Sequence, residues 1–250
     1  MRRMYQVAVE RIVIAGAGLA GVRTAEELRR AGYEGEIVLL DDEGHLPYDR
    51  PPLSKDVIRG EREDTTLRPA EFFDEQRIDL RLRAAARSVD TDARTVTLAD
   101  GTELAYDELV IATGLRARRI PGLPDLDGVH VLRSVDDSRA LRAAIVPGVR
   151  ALVVGAGFIG CEVTASLRAL GVDVVLLEPQ PTPLASVLGT EVGSLVARLH
   201  TEAGVDLRAG VGLAELRGDG HVTSAVLGDG TEIDVDLVVL GIGSVPVTEW

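Results

Sequence analysis

"RALVVGAGFIGCEVTASLRALGVDVVLLE", residues 150–178, decides the fold. An apolar, β-branched run is followed by Gly-x-Gly-x-x-Gly. A segment with helical periodicity comes next, then a glycine, then a second apolar run that ends in an acid. That order reads as strand, tight turn, helix, strand: a βαβ unit. Residues 11–41, "RIVIAGAGLAGVRTAEELRRAGYEGEIVLLD", repeat it feature for feature, with Gly16 returning as Gly155.

A second repeat follows each of the first. "TVTLADGTELAYDELVIATG" (95–114) matches "SAVLGDGTEIDVDLVVLGIG" (224–243) without a gap. Asp100-Gly101 and Asp229-Gly230 are hairpin signals between alternating strands. Each hairpin leads into a buried strand that ends in glycines. The expected fold class is therefore α/β, with two Rossmann-like dinucleotide-binding domains. Each should hold a parallel sheet with helices on its faces and an antiparallel hairpin element. The Pro- and Gly-rich "RRIPGLPDLDG" marks the expected boundary, with domains at 1–118 and 119–250.

In such a fold each glycine has its own task. Gly16 and Gly155 make the tight turn, Gly18 and Gly157 let the backbone approach a pyrophosphate, and Gly21 and Gly160 let helix and strand pack closely. The helix N-terminus then offers its free N–H groups to the anion. The acid closing the second strand accepts hydrogen bonds from ribose hydroxyls. Glu178 holds that place in the second copy. No arginine follows it in "PQPTPL" to receive a 2′-phosphate, so NADH is expected over NADPH. In the first copy Asp41 and Asp42 both qualify, and spacing favours Asp41. Either could equally be a solvated acid at a strand end. Two dinucleotide folds in one chain suggest a hydride donor and acceptor, with nicotinamide and flavin the natural couple.

Composition narrows the alternatives. A formal net charge of −13 gives no attractive field for nucleic acid. The single cysteine, Cys161, allows no disulfide framework, no Cys-x-x-Cys pair and no cysteine-rich metal site. The scattered His45, His130, His200 and His221 have no metal-ligand spacing, so no metal is expected. No apolar run reaches membrane-span length. The basic start before an apolar run imitates a signal peptide, but Glu10 and Arg11 interrupt it, and the expected location is the cytoplasm. Among 27 Lys+Arg, Lys55 is the only lysine.

The stretches "GAGLAG", "PYDRPPLSK", "YDELVIATG", "VLRSVDD", "GAGFIGCE", "PLASVLG" and "LVVLGIGSVP" together resemble the FAD-dependent NADH:ferredoxin and NADH:rubredoxin reductases, which feed Rieske oxygenases and cytochrome P450 systems. The resemblance covers nearly the whole chain, and Pro-Pro-Leu-Ser-Lys is its most specific part. It implies FAD and NAD as cofactors and a ferredoxin- or rubredoxin-type carrier as partner. It places Ala20 in the FAD loop and Asp42 on the adenine ribose. Asp41 stands where that family has glycine, so spacing and resemblance differ by one residue; Asp42 is the expected ribose ligand, with Asp41 in reserve. The resemblance also brings Ala86 to the adenosine part, Lys55 and Arg133 to the flavin side, and Thr113, Gly114, Ile159 and Gly243 to the dinucleotide sites through their motifs. It further implies a later strand carrying Ala-x-Gly-Asp and a C-terminal domain. Neither occurs in these 250 residues, so the FAD-binding copy is expected to lack its returning segment.

Lys55 and Glu162 are the expected catalytic residues. A compact ammonium beside a flavin would stabilise the charge that hydride addition creates. The prolines before it fix φ and make a rigid approach. Glu162, in the first turn of the second glycine-loop helix, would pair with it by the resemblance; an acid there also suits the helix dipole. Arg50 could also reach the flavin, but it is expected first to position the loop. Arg116, Arg118 and Arg119 form a basic cluster that reads as a landing patch for an acidic carrier or as a solvated loop. The rival readings are an NADH oxidase or peroxidase-like flavoprotein and a non-catalytic nucleotide-binding redox module. A disulfide reductase lacks its dithiol here.

Overall fold

The computed structural model describes residues 9–250. The chain divides into two compact units. The first runs to Asp49 and takes in Thr65–Leu115 and Pro246–Trp250. The second comprises Arg50–Asp64 and Arg116–Val245. Its start at Arg116 lies close to the expected boundary, but residues 50–64 and 246–250 exchange units relative to a simple division of the chain.

In the first unit four parallel strands lie in the order Ile78–Arg81, Glu36–Leu40, Arg11–Ala15, Glu108–Ile111. Arg11 is in register with Glu36, and Ile12 with Glu108. Ile12 to Ala15 and Ile37 to Leu40 are buried without alternation, as strands covered on both faces are. Successive side chains point to opposite faces, so one run feeds two cores. Ile12, Ile14, Ile37 and Leu39 pack with Val22 and Ala25 of the Leu19–Arg30 helix. Val13, Val38 and Leu40 pack with Val96, Leu98 and Leu104 of an antiparallel sheet, Ala86–Asp90, Thr95–Leu98 and Glu103–Ala105. The hairpin element is thus the cover of the sheet's second face.

The second unit repeats the plan with five parallel strands, ordered Asp206–Ala209, Asp173–Glu178, Arg150–Val154, Leu237–Leu240, Val129–Val131. Leu152, Val154, Leu177, Val238 and Leu240 pack with Leu216, Val222, Ala225 and Leu227 of its own antiparallel sheet. Both Asp-Gly turns form. Gly101 and Gly230 take φ of +87° and +85°. The Asp100 and Asp229 carboxylates accept from the N–H groups of Thr102 and Thr231 at 2.8 and 2.9 Å.

A further repeated device emerges here. Asp107 accepts from the Arg11 N–H at 2.8 Å, and Asp236 from the Arg150 N–H at 3.0 Å. In each unit the acid entering the strand after the hairpin ties down the start of the strand that leads into the glycine loop. Among the described residues no helix is long and apolar enough to cross a membrane, and no cluster of His, Cys, Asp or Glu could hold a metal.

Candidate dinucleotide sites and the Lys55 cleft

In both sheets the order reverses at the strand that runs into the glycine loop, Arg11–Ala15 in one and Arg150–Val154 in the other, where such folds take their ligands. Gly16 has φ +109°, and a Cβ there would lie 2.2 Å from the Ala112 carbonyl oxygen. A Cβ on Gly21 would lie 1.9 Å from the Gly16 oxygen, and one on Gly160 1.8 Å from the Gly155 oxygen. Gly155 meets the Gly241 oxygen at 2.7 Å in the same sense. These positions exclude any side chain because backbone already fills the space.

Gly18 and Gly157 differ: a Cβ on either would meet nothing within 4 Å. Both are N-cap residues, and neither helix has a side-chain cap. The first-turn N–H groups therefore have no intrahelical acceptor and no capping oxygen. An open cradle at an uncapped helix N-terminus fits a pyrophosphate, and it recurs in each unit. Ala20 follows in the first of these helices and is exposed.

The strand-end acids are equivalent in the two units. Gly16 N–H donates to the Leu40 oxygen and Gly155 N–H to the Leu177 oxygen, so Asp41 and Glu178 hold the same place. Glu178 is 9% exposed, and its two carboxylate oxygens accept from the Ala156 N–H at 2.6 Å and the Gln180 N–H at 2.9 Å. It braces the glycine loop while retaining lone pairs for a ribose. Asp41 is equally buried, and its carboxylate accepts from the Glu43 N–H at a longer 3.3 Å. Burial, with Glu43 and Asp42 as like charges, lifts its carboxyl to about 7. Asp42 is exposed. Ala86 begins an antiparallel strand and is half-buried. Thr113 and Gly114 follow the strand beside the first glycine loop. The Thr113 hydroxyl donates to the Val247 oxygen at 2.7 Å, and Gly114 accepts from the Val247 N–H at 3.1 Å.

The second unit holds a cleft of about 490 Å³. It gathers Arg50, Lys55 and Arg133 from outside the second βαβ stretch with Gly157, Ile159 and Glu162 from the glycine-loop helix, and Gly243 from the segment after the last parallel strand. Phe158 and Ile159 are exposed apolar walls, 53% and 41%. Lys55 enters this cleft because its segment folds as part of this unit. Pro51–Ser54 is a 3₁₀ turn, and Asp56–Arg59 is a short helix ended by Gly60 in the left-handed conformation. Leu53, Val57 and Ile58 are buried against the helices Val135–Ala144 and Phe158–Ala169.

Lys55 Nζ lies 2.7 Å from Glu162 Oε2 and 3.1 Å from the Pro51 oxygen. Ser54 Oγ donates to the same Glu162 oxygen at 2.5 Å. The ion pair is partly exposed, with side chains 39% and 31% accessible, so its value is placement more than stability. Arg50 Nη1 donates to the Arg133 oxygen at 2.7 Å and so anchors the turn. Cys161 is buried beside Glu162, its Sγ 3.5 Å from the Ala156 oxygen. Burial first, then Glu178 and Glu162, push its thiol up to about 11, which keeps it an inert thiol at neutral pH.

Sequence reasoning missed Ser138, Ser166 and the wall residue Phe158. Phe158 lay inside a quoted motif, whereas the serines sit on helices with no local signal. Arg116, Arg118 and Arg119 are exposed.

Residues 10–250 match the family model described as pyridine nucleotide-disulphide oxidoreductase. The chain is 42% identical over 244 residues to a probable ferredoxin reductase, CtmF, of Castellaniella defragrans, covering 96% of this chain and 59% of that protein. It is 40% identical to the ferredoxin–NAD(+) reductase component of the biphenyl dioxygenase system of Paraburkholderia xenovorans, covering 96% and 60%. The crystal structure of a ferredoxin reductase for the CYP199A2 system from Rhodopseudomonas palustris matches with a TM-score of 0.91 at 40% identity, covering 95% of this chain and 60% of that one. The chain thus spans about 60% of the length of these relatives. The match takes in both glycine loops and both parallel sheets, and the chain belongs to the pyridine nucleotide-disulphide oxidoreductase family.

Proposed function

We propose that this chain carries the NADH- and FAD-binding parts of a reductase that passes electrons to a ferredoxin- or rubredoxin-type carrier. The observation that carries the reading is Lys55 held by Glu162 in a cleft whose floor is the second glycine loop. In this reading Gly155, Gly157 and Gly160 take the NADH pyrophosphate, and Glu178 its ribose. Gly16, Gly18, Ala20 and Gly21 take the FAD pyrophosphate; Asp42 or Asp41 takes its ribose, with Ala86, Thr113 and Gly114 along its length. FAD, when bound, supplies a two-electron acceptor that can release electrons singly.

The chain's own residues set the conditions. Lys55 holds a full positive charge in place before reaction, so no reorganisation is needed when negative charge develops nearby. Glu162 and the Pro51 oxygen fix the ammonium. Phe158 and Ile159 present apolar surface that excludes water from a nicotinamide. Arg50 and Arg133 close the same cleft. The relatives named as ferredoxin reductases support the carrier assignment.

The test is anaerobic stopped-flow reduction of the FAD-loaded protein by NADH. Lys55→Met should slow flavin bleaching by about 10- to 100-fold with NADH affinity nearly unchanged, since the lost interaction belongs to the transition state. Equal rates in the variant and the parent would refute the assignment of Lys55.

A further inference from the structure

The turn that carries Lys55 poses an accounting problem. Pro51 and Pro52 have no N–H to give, and the turn's carbonyls still need donors. Backbone supplies several: Leu53 N–H reaches the Arg50 oxygen at 2.9 Å, Lys55 N–H the Pro52 oxygen at 3.0 Å, and Arg59 N–H the Lys55 oxygen at 3.1 Å. Lys55 Nζ itself meets the Pro51 oxygen. Two carbonyls remain, those of Leu53 and Ser54, immediately before the lysine.

Both are met by serine hydroxyls from elsewhere in the unit. Ser138 Oγ donates to the Leu53 oxygen at 2.8 Å, and Ser166 Oγ to the Ser54 oxygen at 2.7 Å. Ser138 is 0% exposed and Ser166 1%. Hydroxyls on helices commonly bond the carbonyl four residues back in their own helix. Thr24 and Ser194 do so here, to the Ala20 and Thr190 oxygens, each at 2.8 Å. Ser138 and Ser166 instead reach off their helices to the lysine's turn. Ser166 also accepts from Arg59 Nη1 at 3.4 Å, on the far side of Lys55. Ser54, whose carbonyl Ser166 holds, is the residue whose hydroxyl meets Glu162.

We propose that Ser138 and Ser166 are positioning residues for the Lys55–Glu162 pair. Two buried hydroxyls clamp the Leu53 and Ser54 carbonyls and so fix where the cleft's ammonium stands. The importance of that placement for turnover rests on the reading of Lys55 given above; the clamp itself does not. Each serine spans one boundary: the Val135–Ala144 helix sets Leu53, and the glycine-loop helix sets Ser54 and Glu162 together. Losing one hydroxyl leaves a buried carbonyl without its donor, and the turn relaxes toward another one.

The lysine count makes the test direct. Protein labelled with ¹⁵N-lysine gives one side-chain Nζ signal, from Lys55, with neither FAD nor NADH present. Ser138→Ala and Ser166→Ala, both near-isosteric, should each move that signal toward its position in Glu162→Gln, the reference for a released ammonium. The double variant should move it furthest. Thermal unfolding establishes that each variant is folded. If Ser166→Ala fails to fold, Ser166→Cys keeps the volume with a weaker donor and carries the same measurement. In FAD-loaded protein the single variants should slow reduction by NADH about threefold or more, with KM for NADH unchanged. An Nζ signal unmoved in both folded alanine variants would overturn the proposal. A displaced signal with unchanged flavin reduction would uphold the clamp and refute instead the role given to Lys55.

Discussion

Replacing Asp41 by asparagine should stabilise the first unit at pH 8 and leave it almost unchanged at pH 4. Asp41 is 9% exposed at the end of a parallel strand, its carboxylate accepting from the Glu43 N–H at 3.3 Å. Burial, then the like charges of Glu43 and Asp42, raise the carboxyl from 3.8 to about 7. Between those values the folded state holds a proton that the unfolded state has released. Stability is therefore highest below pH 4, declines as pH rises toward 7, and stays reduced above it. A rise of that size corresponds to at most ~4 kcal/mol, and asparagine, neutral throughout, removes this residue's share of the dependence.

Trp250 is the only tryptophan and packs against the cluster containing Val13, Val38 and Leu40, so its fluorescence reports this unit. Urea unfolding at pH 4, 6 and 8 would follow it. With a slope of about 2 kcal/mol per molar urea, half the ceiling separates the midpoints by ~1 M at pH 8. Superimposable pH profiles for the parent protein and the Asp41→Asn variant would refute a buried protonated acid at this position.

The glycine loops give a paired expectation. Gly157→Ala should leave the melting temperature intact while weakening NADH binding about tenfold, since its methyl enters open space that the pyrophosphate needs; Gly160→Ala should lower the melting temperature as well, because its methyl meets the Gly155 oxygen. Isothermal titration and calorimetry of the two variants separate these effects. Glu178→Gln has only one carbonyl oxygen for the two N–H donors at 2.6 and 2.9 Å. It should cost ~1–3 kcal/mol and lower the NADH-to-NADPH preference, read from binding of both nucleotides; an unchanged preference would remove Glu178 from the ribose site.

Much of this architecture was legible in the chain. The unbroken apolar runs at Ile12–Ala15 and Ala151–Val154 could be satisfied only by sheets covered on both faces, and the glycines at fixed offsets named the turn between strand and helix. The Asp-Gly pairs located both hairpins, and Glu178 sat where a second strand must end. These are local properties, set by side-chain period, φ and the space a Cβ needs.

The sequence left other matters open. Spacing pointed to Asp41 and resemblance to Asp42, and burial of one and exposure of the other separates them physically. The sequence singled out Lys55 by rarity, yet its partner lies 107 residues away on another helix, and the carbonyls before it are held by Ser138 and Ser166 from 85 and 112 residues away. That residues 50–64 join the second unit depends on Leu53, Val57 and Ile58 being buried against two helices of that unit. Periodicity tells which face of an element must be covered; which other face covers it is decided only when the chain closes on itself and buried polar groups must each find a partner.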